Sequence, residues 1–525
     1  MARKARDAVV IGAGPSGLVA ANLLTDAGWD VVVLETQDHV GGGVYSDESV
    51  EPGFVHDTFS SFYPLAGASP VIKALELEKH GLVWAHAPAV LGNPLPDGSW
   101  AMLYRDLDRT VDNLNGLHPG DGDAWRAVAK DWHIMGPAIL EALLSPFPPV
   151  RGGLKALARL PRVGGLDYVR TLLEPAATMG GKRFASEGAR LLLAGNASHA
   201  DIPMTASGSG LLGLLLAMMG QTVGFPVPLG GAAKLTQALA DRFTSLGGEI
   251  RLSTRVSSIV VHNRRSHGVV TADGEKIDAR AVVADVAASA LYGELIAWSE
   301  LPERTRSGMK RFEQDPATIK VDWALNGPVP WSSPPEVAPG TVHFADSVDQ
   351  LSSSQDAIAN HAVPAEPFLL SGQMTSSDPT RSPAGTESMW AYTHVPQEVH
   401  RDNGPDGLTG SWDADEVERM ADRMQARIMK HAPDFESRII TRRVLGPHQM
   451  QALNENLIKG ALGGGTAGLH QQLIFRPVPG LGRPDTAIRG VFLGSASAHP
   501  GGGVHGACGS NAARAVIAAA RTGRL

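Results

Sequence analysis

The chain has 525 residues, 43% of them hydrophobic and 19% charged, enough apolar material for two or more packed domains. A formal net charge of −8 gives no support for nucleic-acid binding, and a single cysteine excludes an intrachain disulfide. No run of eighteen apolar residues occurs, and the apolar stretch after the basic start is too short for a cleaved signal. A cytoplasmic protein is therefore expected, peripheral to a membrane at most.

Residues 8–43 read as strand, glycine turn, helix, strand and acid. Val9-Val10-Ile11 runs into Gly12-Ala13-Gly14-Pro15-Ser16-Gly17, and Val31-Val32-Val33-Leu34 is closed by Glu35 and Thr36. This is the dinucleotide-binding fingerprint in its required context. Gly12 permits the turn, Gly14 lets the backbone approach a pyrophosphate at the helix N-terminus, and Gly17 lets helix and strand pack. Glu35 can accept from a ribose 2′-hydroxyl and would repel a 2′-phosphate. Gly41-Gly42-Gly43 adds a second backbone segment able to approach the cofactor, an arrangement similar to FAD proteins of the glutathione-reductase type.

From Pro52 to Gly67, aromatics among small residues suggest a loop under a flavin ring, with His56 expected to cap a turn rather than touch the cofactor. Ala87 to Tyr104 reads as a strand pair turning at Pro96-Asp97-Gly98, and Asp121 to Ala200 as helices broken at Pro137, Pro146–Pro149, Pro161 and Pro175. No charge occurs between Asp201 and Lys234, a stretch holding a leucine run and Met218-Met219. A helix apolar all round is buried core or meets a greasy ligand; the methionines suit either.

Ala232–Leu246 reads as an amphipathic helix, followed by strands at 249–252, 256–261, 268–271 and 281–284 that should rejoin the first sheet. Ile319–Leu325 and Ser388–Val395 alternate like strands of a second domain. Ser347–Asn360 and Ser376–Gly385 read as surface loops, and Lys459–Gly468 as a glycine loop near a ligand or another backbone. Val491–Leu493 leads into Gly494-Ser495 and His499-Pro500-Gly501-Gly502-Gly503-Val504, then an alanine-rich helix whose N-terminus can face a flavin. No metal site is expected: CxxC, HExxH and clustered metal ligands are all missing from the sequence.

Three blocks, GAGPSG…E…GGG, PLGGAAKLTQAL…GGEI…V and GSASAHPGGGVHGACGSNAA, resemble the phytoene-desaturase-like branch of the FAD-dependent amine oxidase superfamily. MWAYTHVP, FRPVPG and AHPGGGVHGACGSNAA bring the chain nearest to the pyridine nucleotide-disulfide oxidoreductase domain-containing protein 2 group. The resemblance implies an α/β fold: a Rossmann-like FAD domain from residues 1–85, 226–297 and 480–525, and a mixed-sheet and helical substrate domain from 86–225 and 298–479. It implies non-covalent FAD on Gly12, Ala13, Gly14, Pro15, Ser16, Gly17, Glu35, Thr36, Gly42, Gly43, Val256, Gly494, Ser495, Pro500, Gly503 and Val504, with His499 beside the ring as the candidate catalytic group. Many relatives carry an acid where Ser495 stands, which leaves that contact open; Cys508 reads as packing. The expected reaction moves a hydride between a hydrophobic, polyprenoid-like substrate and flavin N5, with oxygen, a quinone or a protein as electron acceptor. A homo-oligomer is a further expectation. An amine oxidase, for which no aromatic cage is evident although Trp323, Trp390 and Tyr392 could contribute to one, and a flavin-bound interaction protein are the alternatives.

Overall fold

The computed structural model describes residues 5–525. β1 (Arg6–Ile11), α1 (Pro15–Asp26) and β2 (Val31–Leu34) open the chain, and a hairpin, β3 (Ser46–Glu51) and β4 (Phe54–Asp57), follows. β5 (Ala89–Pro94) and β6 (Trp100–Leu103) precede a helical stretch containing α2 (Asp121–Leu144), α3 (Glu187–Ala197) and α4 (Ser209–Thr222). Next come α5 (Ala233–Ser245), β7 (Glu249–Arg251), β8 (Val256–His262), β9 (Arg265–Thr271) and β10 (Lys276–Ala284). The remaining elements used below are β11 (Ala317–Leu325), β12 (Pro339–Phe344), β13 (Leu369–Gln373), β14 (Glu387–Val395), β15 (Ile439–Leu445), β16 (Val491–Leu493) and α6 (Ala507–Arg521).

Two seven-stranded sheets organise the molecule. In the first, β16, β10, β1, β2 and β7 lie parallel in that order. β10 is long enough to serve two neighbours on the side away from β1: its first three residues pair antiparallel with β9, its last three pair with β16. The strands of the parallel core are continuous Val/Ile/Leu/Ala runs because both faces are covered: α1, α5 and α6 pack on one side in a single apolar cluster, and β8, β9 and residues 288–301 pack on the other. The second sheet runs β15-β11-β14-β13-β12-β5-β6, antiparallel except between β12 and β5. Among the described residues, no helix is long and apolar enough to cross a membrane.

Several expectations change. Pro137 lies inside α2 and does not break it. Val348–Ala359 is a helix, not a loop: Ser347 caps it by accepting from Gln350 N–H, and Leu351, Ser354 and Ala357 make its buried face. Five polar residues in a row there, Ser352 to Asp356, concealed the periodicity. Phe54–Asp57, a quarter of the supposed flavin loop at 52–67, is strand β4. Residues 376–385 are surface only in part: Pro379, Thr380, Pro383, Ala384 and Gly385 are exposed, but Asp378 and Arg381 are fully buried.

That buried pair is part of the joint between the two sheets. Arg381 donates to Asp57 (2.9 Å) and Asp378 (2.9 Å). The same carboxylates accept from Ala232 N–H (2.8 Å) and Gly230 N–H (2.7 Å), which fixes the turn where the chain returns to the first sheet. Arg381→Met would leave two carboxylates buried without their cation. A loss of about 3–5 kcal/mol is expected, read from the denaturation midpoint; a change below about 1 kcal/mol would show that the joint does not need its charge.

Candidate cofactor and substrate site

In the parallel core, Ile11 is level with Leu34 and Ala284, Ala284 with Leu493, and Leu34 with Arg251. The next residues, Gly12, Glu35, Asp285 and Gly494, therefore emerge side by side at the carboxyl ends of the strands. That edge is where open α/β sheets bind ligands.

Asp285 is the residue that sequence reading missed. Its carboxylate accepts from Gly17 N–H at 2.7 Å. A Cβ on Gly12 would meet the Asp285 carbonyl oxygen at 2.7 Å, one on Gly14 would meet its Oδ2 at 2.7 Å, and one on Gly17 would meet the Gly12 carbonyl at 2.2 Å. The three glycines are thus required by a neighbouring strand end as well as by any ligand. Burial, with Glu35 nearby, pushes the Asp285 carboxyl up to about 7. Glu35 accepts from Ala13 N–H (2.7 Å) and Gln37 N–H (2.9 Å), so it clamps the glycine turn to the end of β2 while lining the cavity. Gly42, at φ 55°, lies so close that a Cβ would stand 3.1 Å from Gly14 Cα. The N–H groups of Gly14 and Ser16 have no protein acceptor among the described residues.

One cavity of about 1530 Å³ runs from this edge into the second domain. Of the residues expected at the cofactor, Gly12, Gly14, Pro15, Ser16, Glu35, Thr36, Gly42, Gly43, Val256, Ser495, His499, Pro500, Gly503 and Val504 line it. Ala13, Gly17 and Gly494 stand one layer behind: Ala13 is buried, Gly17 packs on Gly12 and Asp285, and Gly494 packs on Val283 and Ala512. His499 is almost wholly buried, its Nε2 3.1 Å from the Ser145 carbonyl, and burial holds its pKa below the usual histidine range. His505 accepts from Ala507 N–H at 3.0 Å and so caps α6; burial lowers its pKa to about 4. The Cys508 thiol points at the Ala498 and Gly501 carbonyls, outside the cavity wall, and burial pushes it up to about 12. His56 lies away from the cavity, 3.1 Å from the Trp323 carbonyl.

Arg476 was also missed, although its FRPVPG setting stood out. Its buried guanidinium donates to the carbonyls of Gly463, Gly464, Gly465, Thr466 and Ala496. It ties the glycine loop after Lys459 to the loop after β16, which is why that loop is dense in glycine: a Cβ on Gly464 would stand 3.0 Å from Ala496.

The far wall is apolar. Leu211, Leu212, Leu215 and Leu216 of α4 line the cavity with Leu143, Leu144 and Leu172. Met218 and Met219 do not; they are packed core, so the uncharged stretch divides between wall and core. Trp323 is core as well, edge-on to Phe435. Trp390 and Tyr392 line the cavity, but stack on one another from the same face of β14, 5.9 Å apart and 18° from parallel. They form one wall, whereas a cage needs rings on opposite sides. The fold also gathers one metal-ligand type cluster that the sequence does not show: His361, Glu398 and His400, exposed, with ligand atoms within 4.8 Å of one another and no place in this cavity wall as a group.

In the folded chain Asp285 keeps its proton to about pH 7, against 3.8 when unperturbed. Stability from such a group is full below the unfolded value and falls as pH rises through the folded one. Asp285→Asn keeps an acceptor for Gly17 N–H and removes that fall. Relative to wild type, the apoprotein variant should gain on the order of 2 kcal/mol between pH 5 and 8 in urea unfolding; a difference that does not vary with pH would contradict this assignment.

Comparison with known proteins agrees with this geometry. Residues 10–75 match the family model for the NAD(P)-binding Rossmann-like domain, and residues 167–379 that for flavin containing amine oxidoreductase. Pyridine nucleotide-disulfide oxidoreductase domain-containing protein 2 of Mus musculus is 28% identical over 97% of this chain and 93% of its own length. Phytoene desaturase (lycopene-forming) of Pseudescherichia vulneris is 26% identical over 97% of this chain and 98% of its own. An oxidoreductase from Methanosarcina mazei has the same fold, with a TM-score of 0.60 at 14% identity, covering 98% of this chain and 100% of that one. The fingerprint, the register that surrounds it and these likenesses together show an FAD-dependent oxidoreductase similar to the amine oxidase and phytoene desaturase superfamily.

Proposed function

We propose that the protein binds FAD without a covalent link and oxidises a C–H bond of a lipophilic substrate. The observation that carries this is the single cavity that joins the dinucleotide edge to the leucine wall. The chain fits the cofactor: Gly14 and Gly42 leave bare backbone where a pyrophosphate would lie, with the Gly14 and Ser16 N–H groups free. Glu35 faces the ribose position, and Val256 stands at the adenine end. Bound FAD supplies a two-electron acceptor for a substrate hydride. The chain's own contribution is to orient the substrate and keep water out. His499 and His505, both disfavoured as cations by burial, hold the ring-side loop in place and bring no charge to it. The electron acceptor on this reading is oxygen, a quinone or a protein.

The name of the phytoene desaturase relative fits a lipophilic substrate. So does the surface around residues 150–173. On the helix Val150–Arg159, Val150, Leu154 and Leu157 form one exposed stripe at helical spacing. Leu166, Val169 and Leu173 form another on Leu166–Leu172 and its cap, with Leu166 81% exposed. The segment carries five basic side chains and one acidic one in a chain of net charge −8. Leu172 and Leu173 also line the cavity. Apolar stripes flanked by basic residues fit an anionic bilayer surface at the substrate entrance.

Denaturing the purified yellow protein should release FAD into solution, and Cys508→Ala should retain full FAD content. Colour that stays with the precipitated chain would contradict the non-covalent reading. Leu212→Gln should weaken binding of long apolar ligands with little loss of stability, whereas Leu214→Ala, in packed core, should cost about 2–5 kcal/mol. Equal stability losses at both positions would return this wall to the core. In co-sedimentation, Leu154→Asp with Leu166→Asp should abolish binding to phosphatidylglycerol vesicles; wild-type binding by that variant would place membrane contact elsewhere.

A further inference from the structure

The cavity wall is not apolar throughout. At the end of α3 and along β12 and β14 it carries Asn196, His199, His343, Tyr392 and His394. His199 Nε2 and His343 Nε2 are 3.2 Å apart, so one donates to the other. Gly195 makes the pair fit: a Cβ there would stand 2.5 Å from His343 Nδ1. His199, open to the cavity, bonds only through Nε2 and leaves its Nδ1 free there; Nδ1 of His343, which is fully buried, has no protein partner among the described residues. Two more buried polar atoms nearby have none: Oδ1 of Asn196, whose amide nitrogen is committed to Leu192, and Nε2 of His394. His199 is open to the cavity, yet its enclosure by protein still lowers its pKa to about 3, so the imidazoles are neutral.

Unpaired buried polar atoms are costly, and a pure hydrocarbon would leave Oδ1 of Asn196, Nε2 of His394 and the free nitrogen of His199 unpaired. We infer that this cluster is a polar subsite, and that the substrate is a long apolar molecule bearing a neutral hydroxyl or carbonyl group. The inference rests on the lipophilic cavity proposed above and narrows its substrate class. A hydroxyl suits the cluster because it both donates and accepts. Whichever tautomers the histidine pair adopts, the free nitrogen of His199 finds a matching role. A carboxylate does not suit it. No cationic imidazole is available to offset the charge, and the carboxyl groups of Asp201 and Asp315 line the same cavity, held by the N–H groups of Ala467 (2.6 Å) and Gly463 (2.6 Å).

The test uses FAD-loaded protein titrated with 1-decanol, decanoate and decane, followed by the change in flavin absorbance and by calorimetry. Decanol should bind at least tenfold more tightly than decane or decanoate. His199→Leu, at a position open to the cavity and not packed into core, should cut decanol affinity about tenfold and leave decane unchanged. His199→Gln, which keeps a donor and an acceptor, should restore most of the difference. Decane binding as well as decanol would overturn the subsite, because water would then be filling it, and would leave the lipophilic cavity standing. Decanoate binding best would overturn the neutral-group assignment. No binding of any probe would overturn the cavity reading and the subsite with it.

Discussion

The site depends on one steric constraint: Asp285 occupies the space that side chains at 12, 14 and 17 would need. β10 ends level with β1, so the residue after it comes up beneath the glycine turn, and its carboxylate takes the Gly17 N–H. The backbone at Gly12 and Gly14 is held open by its neighbour before any cofactor arrives. This is preorganisation from sheet register, with the side chain of one strand end setting the residue types allowed in the turn after another.

The same logic recurs at the other end of the cavity. Arg476 gathers five carbonyls from two loops, and those loops can meet only because Gly464 and its neighbours leave room. Burial disfavours the Arg476 cation, and the carbonyl acceptors gathered around its N–H groups offset that cost. The two loops then present His499 to Val504 to the cavity as one surface. The Arg381 joint does similar work farther out, where the chain returns from the substrate domain. Three interactions far apart in sequence thus hold the edges of one space.

The cofactor half was legible because its signals are local. Gly12, Gly14, Gly17, Glu35 and Gly42 lie within one strand-helix-strand unit, and the loop after β16 repeats the pattern of strand, glycines and helix. What the sequence concealed is non-local. Asp285 looks like any acid after a strand until register places it under Gly14, and Arg476 looks like a surface arginine until its carbonyls are found. The helix at Val348–Ala359 was hidden by its serines, and the hairpin at β3 and β4 by the proline and glycine of its turn. In α4, composition alone cannot tell wall from core: Leu212 and Leu216 line the cavity, while Met218 and Met219, apolar too and further along the helix, lie in packed core. His199 and His343 are far apart in sequence, so no spacing rule would pair them.

The central claim is that the dinucleotide edge and the leucine-walled chamber are one space, with FAD bridging them. A crystal structure of the protein grown with FAD tests it most directly. The ribose should lie at Glu35, the pyrophosphate between Gly14 and Gly42, and the flavin ring against the loop from His499 to Val504 with one face open to Leu212 and Leu216. A ring turned out of the cavity, or a nucleotide bound elsewhere, would contradict the account.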